Sequence, residues 1–124
     1  MRLAIIGSRS FSDYQLLYRS INNHYGAWDT QIRSVQWKMD SIVSGGAVGA
    51  DALGARFAKD NLISLNEILP DWKTHGRSAG FKRNADIITA CDEVICFWDG
   101  ASKGSADSLR IAKAQKKPTV IVYF

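Results

Sequence analysis

Cysteine and proline are scarce in this chain, with two of each among 124 residues. No apolar run approaches the ~20 residues needed to cross a bilayer. Cys91 and Cys96 do not form a C-x-x-C pair, and no second cluster of ligating residues accompanies them. A zinc site and a disulfide framework are therefore both unexpected, and the two thiols read as reduced, buried small side chains with no metal or cofactor implied. The opening Met1-Arg2-Leu3-Ala4-Ile5-Ile6 lacks the long apolar stretch of a secretory signal, which makes the cytoplasm the expected location and leaves no membrane partner. Excess charge is also small. Sixteen Lys and Arg against 12 Asp and Glu give a formal +4, scattered rather than gathered in a basic tail. That argues against nucleic acid as the first partner while still favouring an anionic ligand.

The chain has no internal repeat and no low-complexity tract. With 46% apolar residues over 124 positions, it is expected to be a single domain spanning residues 1–124 that buries roughly two-thirds of its unfolded surface. Arg2 to Ile6 is a short β-branched run closed by Gly7 and reads as a buried strand. A helix is expected from Asp13 to about His24, with Ser12 and Gln15 as a capping box. Tyr25 to Lys38 shows no reliable pattern. Asp40 to Ser44 reads as a strand and Ala50 to Asp60 as a helix. Leu62 to Leu69 is a third strand, and Ser78 to Cys91 is a helix with Phe81, Ala85 and Ile88 on its buried face. Glu93 to Trp98 is a fourth strand, Ser105 to Lys116 a helix and Thr119 to Tyr123 the last strand. This β-then-α order, with strands apolar on both faces, predicts an α/β fold: a Rossmann-like three-layer αβα sandwich on a mostly parallel sheet of about five strands.

In such sheets ligands sit at the carboxyl ends of the strands. Three loops fall there: Gly7-Ser8-Arg9-Ser10-Phe11, then Ser44-Gly45-Gly46-Ala47-Val48-Gly49-Ala50-Asp51, then Asp99-Gly100-Ala101-Ser102-Lys103-Gly104-Ser105. Glycines let backbone N–H groups approach an anion, and a following helix adds about half a positive charge at its start. Each loop alone reads equally as a tight turn, and three in register point to a phosphate cradle. Arg9 is either a bidentate phosphate grip or a solvated arginine, and Ser8 is a hydroxyl donor. Asp51 either caps free amides or accepts from ribose hydroxyls. Trp72 and Trp98 are either stacking faces or core residues, and His75 is either a group that titrates usefully near neutral pH or simply an exposed loop histidine.

The segments Gly7-Ser8-Arg9, Ser44 to Asp51, Trp72 with Gly76 to Asn84, and Phe97 to Ser105 together resemble the YspA/YpsA-related branch of the SLOG superfamily over nearly the whole chain. The resemblance implies a Rossmann-like domain that binds nucleotides or nucleotide-derived signals in bacterial and phage conflict systems, assembled as a homo-oligomer. Gly45, Gly46, Gly49, Gly104 and Ser105 would then contact phosphate and Arg9 and Arg83 would supply charge. Asp51 and Asn84 would bond ribose or base, and Trp98 would wall the pocket. Gly7, Ser8, Ser44, Ala50, Trp72, Gly100 and Ser102 complete the expected site for a small nucleotide-like ligand.

Lysine-decarboxylase-like relatives hydrolyse the N-glycosidic bond of nucleoside monophosphates. They carry a glutamate three positions beyond the threonine of the last glycine motif. Here Ser105 stands for that threonine and Ser108 for the glutamate. Asp107 is adjacent, but one residue on a helix turns a side chain by roughly 100°. Asp51 and Asp107 are thus the candidate catalytic carboxylates of an N-glycosidase, the alternative to a sensor or sequestering protein. Single-strand nucleic-acid binding, known among the DNA-processing relatives, is a third reading.

Overall fold

The computed structural model describes all 124 residues, Met1–Phe124. Five strands, β1 (Arg2–Gly7), β4 (Ser41–Ser44), β5 (Ser64–Glu67), β6 (Glu93–Trp98) and β7 (Thr119–Tyr123), form one sheet in the order β5-β4-β1-β6-β7. Every pairing in it is parallel. The four longer helices are α1 (Tyr14–Tyr25), α2 (Ala50–Asp60), α4 (Ala79–Ala90) and α5 (Lys103–Ala114). The expected α/β three-layer architecture is what the chain adopts.

Strict alternation along the central strands builds the layers. Leu3 and Ile5 of β1, with Ile95 and Phe97 of β6, face Leu17 and Ile21 of α1 and Phe57 of α2. Ala4 and Ile6, with Val94 and Cys96, face Ile87, Ile88 and Cys91 of α4 and its end, and Ala112 of α5. Each large apolar side chain buried in these two clusters contributes roughly 1.5–3 kcal/mol. The edge strands are far less covered: every residue of β5 is exposed. At the amino ends, Arg2 donates from its backbone amide and guanidinium to Asp92, tying the start of β1 to that of β6. Cys91 and Cys96 are free thiols, both fully buried. No helix is long and apolar enough to cross a membrane.

Four sequence expectations need correction. The irregular stretch from Tyr25 to Lys38 holds an antiparallel hairpin, β2 (Gly26–Asp29) with β3 (Ser34–Trp37). Its turn is made by Asp29, whose carboxylate accepts from the amides of Gln31 and Ile32. Trp37 pins the hairpin edge-on to Phe57 and Tyr18, with ring centroids 5.0 and 5.9 Å away. The cap of α1 is Asp13 rather than Ser12, since its carboxylate accepts from the Leu16 amide at 3.0 Å. The segment between the expected strand ending at Leu69 and the helix expected from Ser78, to which no element is assigned, holds a one-turn helix, α3 (Trp72–His75), followed by a 3-10 turn over Gly76–Ser78. Helix α5 begins at Lys103, so Gly104 and Ser105 lie in its first turn instead of the preceding loop.

The chain runs from β1 outward through β4 to β5, then returns to place β6 on the other side of β1. The direction reverses between β1 and β6, which is where an open parallel sheet leaves a crevice. Backbone approach there is very close: a Cβ on Gly7 would stand 2.1 Å from the Phe97 carbonyl oxygen and 2.9 Å from the Ala50 Cβ, at a φ of +153°. Gly7→Ala is therefore expected to lose at least about 2 kcal/mol of stability. Gly104→Ala, where an added Cβ meets nothing within 4 Å, should stay within about 1 kcal/mol of the parent or gain slightly. Urea denaturation of both variants checks the contrast, and similar losses in the two would refute it.

Candidate functional site

Ser8 occupies the crevice directly. It is 1% exposed, its amide donates to the Phe97 carbonyl at 2.8 Å, and its hydroxyl accepts from the Asp99 amide at 3.1 Å. The Ser102 hydroxyl lies 3.0 Å from that of Ser8 and donates to Asp99 at 2.8 Å. Asp99 also accepts from the amides of Ala101 and Ser102. These donors hold the Asp99 carboxyl down at about 2, the two backbone amides contributing most. Asp99 and Ser8 thus fasten the loop after β6 to the loop after β1.

The glycine loop after β4 closes against the same backbone. The Ala50 amide donates to the Ser8 carbonyl at 3.2 Å. Gly49, with φ +80°, packs so closely that a Cβ would stand 2.4 Å from the Arg9 carbonyl oxygen. Asp51 follows in the first turn of α2 and is 8% exposed. Its carboxylate accepts from the Ala47 amide at 3.2 Å. Arg83, from α4, donates to the Gly45 carbonyl and to the Asn84 side chain at 3.2 Å. Asn84 reaches the Gly104 carbonyl at 3.5 Å. The Arg83–Asn84 pair therefore links the glycine loop to the start of α5.

Between these elements lies a cavity of about 550 Å³, in the usual range for a small-molecule site. Gly7, Ser8, Arg9, Asp51, Trp72, Arg83, Asn84, Ser102, Gly104 and Ser105 all line it. Ser44, Gly45, Gly46, Gly49, Ala50, Trp98 and Gly100 lie outside the lining. Ser44 donates its hydroxyl to the Asp51 carbonyl, and the Trp98 indole donates to the Ser102 carbonyl at 3.1 Å while packing on Tyr123. Trp98 braces the loop instead of walling the pocket.

Nine lining residues are not among the expected site residues: Ile6, Ser10, Ala47, Arg77, Gly80, Phe81, Ile87, Lys103 and Ser108. Arg77 and Lys103 lie within the quoted motifs, and their cationic character was the available signal. Phe81 is the clearest miss. It is 59% exposed, whereas Ala79, Ile87 and Ile88 are the buried residues of α4. Asp107 does not line the cavity. It pairs with Arg110 at 2.8 Å on another face of α5, whereas Ser108, 5% exposed, does face the cavity.

The lining is strongly unbalanced in charge. Arg9, Arg77, Arg83 and Lys103 surround the single carboxylate of Asp51. None of the four cations belongs to an ion pair of the chain. No side chain caps the amino ends of α2, α4 or α5, in contrast to α1 with its Asp13 cap. Burial pushes the Asp51 carboxyl up to about 6, against the opposing pull of the Ala47 amide and Arg83. A raised carboxyl pKa means that the native state holds its proton more tightly than the unfolded chain. Ionisation between about pH 4 and 6 then penalises only the native state, and stability falls as pH rises through that window. Asp51→Asn is expected to remove on the order of 2 kcal/mol of this decline, measured as a smaller difference between urea unfolding free energies at pH 4 and pH 7. An unchanged difference would show that Asp51 does not carry the shift.

Comparison with known proteins adds family to geometry. The Gene 61 protein of Mycobacterium phage D29 is 33% identical over 89 residues, covering 67% of this chain and 70% of that protein. No solved structure matches. The family model described as the YspA, cpYpsA-related SLOG family matches residues 1–75. That stretch contains the loops after β1 and β4 and ends before α4 and the loop after β6. On this match, with the parallel sheet and its crevice loops, the chain belongs to the YspA, cpYpsA-related SLOG family.

Proposed function

We propose that this protein binds a phosphorylated, nucleotide-derived small molecule, an ADP-ribose-like compound or a nucleoside phosphate, as a sensor or sequestering protein. The observation that carries the reading is the set of four cations without ion-pair partners around one cavity, at the uncapped starts of three helices. Helix starts without side-chain caps carry a positive end that favours an anion. Arginine presents planar donors that match phosphate oxygens. The volume of about 550 Å³ accommodates a mononucleotide or a somewhat larger ligand. Membership of the SLOG family supports the nucleotide-related class.

Residue roles follow from position. Arg9 has no side-chain partner in the chain and is free to grip phosphate beside Lys103, Gly104 and Ser105. Arg83 is already anchored on Gly45, so it offers a fixed charge at the cavity wall. Asn84 and Asp51 provide the hydrogen-bonding groups suited to ribose. Arg9→Ala is expected to weaken AMP or ADP-ribose on the order of 10- to 100-fold, with little effect on adenosine. Isothermal titration calorimetry measures both, and an equal loss for phosphorylated and unphosphorylated ligands would remove Arg9 from the phosphate site. Native mass spectrometry of the protein purified from cells provides an independent check through any retained nucleotide.

A second reading is favoured by one specific feature, the buried Asp51 carboxylate inside this cavity. In a nucleotide N-glycosidase it would act ionised, stabilising the ribosyl cation that forms as the base departs. Base release should then rise with pH through about 6, the value to which burial pushes this carboxyl. Chromatography of a nucleotide panel incubated with high enzyme concentration tests this, and the absence of free base at pH 7.5 would leave binding as the function.

A further inference from the structure

Two large aromatic side chains at the mouth of the cavity are exposed without a packing role. Trp72 opens α3 and Phe81 lies in the first turn of α4, and each is 59% exposed. Neither belongs to either core cluster. Neither packs against another ring of the chain, although Phe11, Tyr18, Trp37, Phe57, Phe97 and Trp98 all do. Both nevertheless line the same cavity as Arg9 and Lys103. Gly80, immediately before Phe81, keeps the space beneath the indole open: Trp72 is the sole neighbour of a Cβ built there, at 4.0 Å.

The lining is therefore divided in character. Buried within it are the hydroxyls of Ser8, Ser105 and Ser108 beside the apolar Ile6 and Ile87. Its exposed part holds the cations Arg9 and Lys103 and, on the Asp71–Ser78 stretch that is exposed throughout, Trp72 and Arg77, with Phe81 just beyond it. Polar hydroxyls and amides suit phosphate, whereas flat, uncharged, hydrophobic rings suit a flat heteroaromatic group. Resting on the phosphate-binding reading given above, we infer that Trp72 and Phe81 form a stacking site for an aromatic base. The cavity thus selects nucleoside phosphates over sugar phosphates that lack a base. The guanidinium of Arg77, in the same lining, is a further planar group suited to such a base.

The test is calorimetric titration of AMP, ADP-ribose and ribose 5-phosphate into the parent protein, Trp72→Ala, Phe81→Ala and Trp72→Phe. The parent should bind at least one nucleotide roughly 10-fold or more tightly than ribose 5-phosphate. Each alanine variant should weaken that nucleotide by about 5- to 100-fold while leaving ribose 5-phosphate within about 2-fold. Trp72→Phe should restore most of the loss. Both side chains are exposed, so the variants should keep the parent melting curve. Equal affinity of the parent for nucleotide and ribose 5-phosphate, or equal losses for both in the alanine variants, would overturn the stacking site and leave phosphate binding standing. No binding of any of the three probes to the parent would instead overturn the phosphate-binding reading and this inference with it. Tighter, steeply salt-dependent binding of a 5′-phosphorylated oligothymidylate would assign the rings to a nucleic-acid strand and overturn selection of a small nucleotide.

Discussion

The two central strands of the sheet run together at the site only because position 7 carries no side chain. A Cβ there would overlap the Phe97 carbonyl oxygen, which is the acceptor that the next residue, Ser8, uses for its amide. From this approach the rest of the site follows. Ser8 is drawn into the crevice, where its hydroxyl reaches the Asp99 amide and the Ser102 hydroxyl. Its carbonyl receives the Ala50 amide, and Gly49 folds over the Arg9 carbonyl. Three loops from three strands are thereby locked to one another through backbone groups and short polar side chains. A buried hydroxyl is costly unless it is bonded, so the Ser8 network holds one geometry in place of several. The floor of the cavity is preorganised by the fold itself.

Two aspartates on this rim show how the same side chain is put to opposite uses. Asp99 follows β6 and accepts two backbone amides and a hydroxyl, which stabilise its ionised form and hold its carboxyl at about 2. Its role is to shape the loop. Asp51 accepts a single amide and is shielded from water, so desolvation dominates and its carboxyl rises to about 6. A carboxyl raised to about 6 by burial, in a cavity that four cations also line, is the kind of perturbed group that marks a candidate site. The cavity cations offset part of its desolvation without pairing with it.

Much of the fold is legible in the sequence, because apolar alternation and glycine-terminated strands are local signals. The sheet, the order of its helices and the convergence of three loops all follow from them. What was not legible depends on packing across the chain. The β2–β3 hairpin is too short and too exposed to show alternation, and it is secured by Trp37 resting on Phe57, a residue twenty positions away. Phe81 carries a helical apolar spacing that pairs it with Ala85 and Ile88, yet it is exposed while Ile88 is buried. The glycines of the second loop were legible as close-approach positions, but the contact was expected to be with a ligand. In the fold, Gly49 meets the Arg9 backbone. Trp98 likewise turns from pocket wall to loop brace.

The arrangement of carboxylates bears on the choice between the two proposed readings, holding a nucleotide or cleaving one. On α5 the position that faces the cavity is Ser108, and the neighbouring carboxylate of Asp107 is turned away and paired with Arg110. The helix period sets this division, since consecutive side chains diverge by roughly 100°. Asp51 remains as the one acid in the lining, and it enters from the opposite side, on α2 beside the glycine loop. With its carboxyl at about 6 it is mainly ionised near neutral pH, and a carboxylate accepts a hydrogen bond from a hydroxyl. Four cations, five lining serines and one reluctant carboxylate make a site whose electrostatics favour an anionic ligand in its ground state more than a cation forming within it.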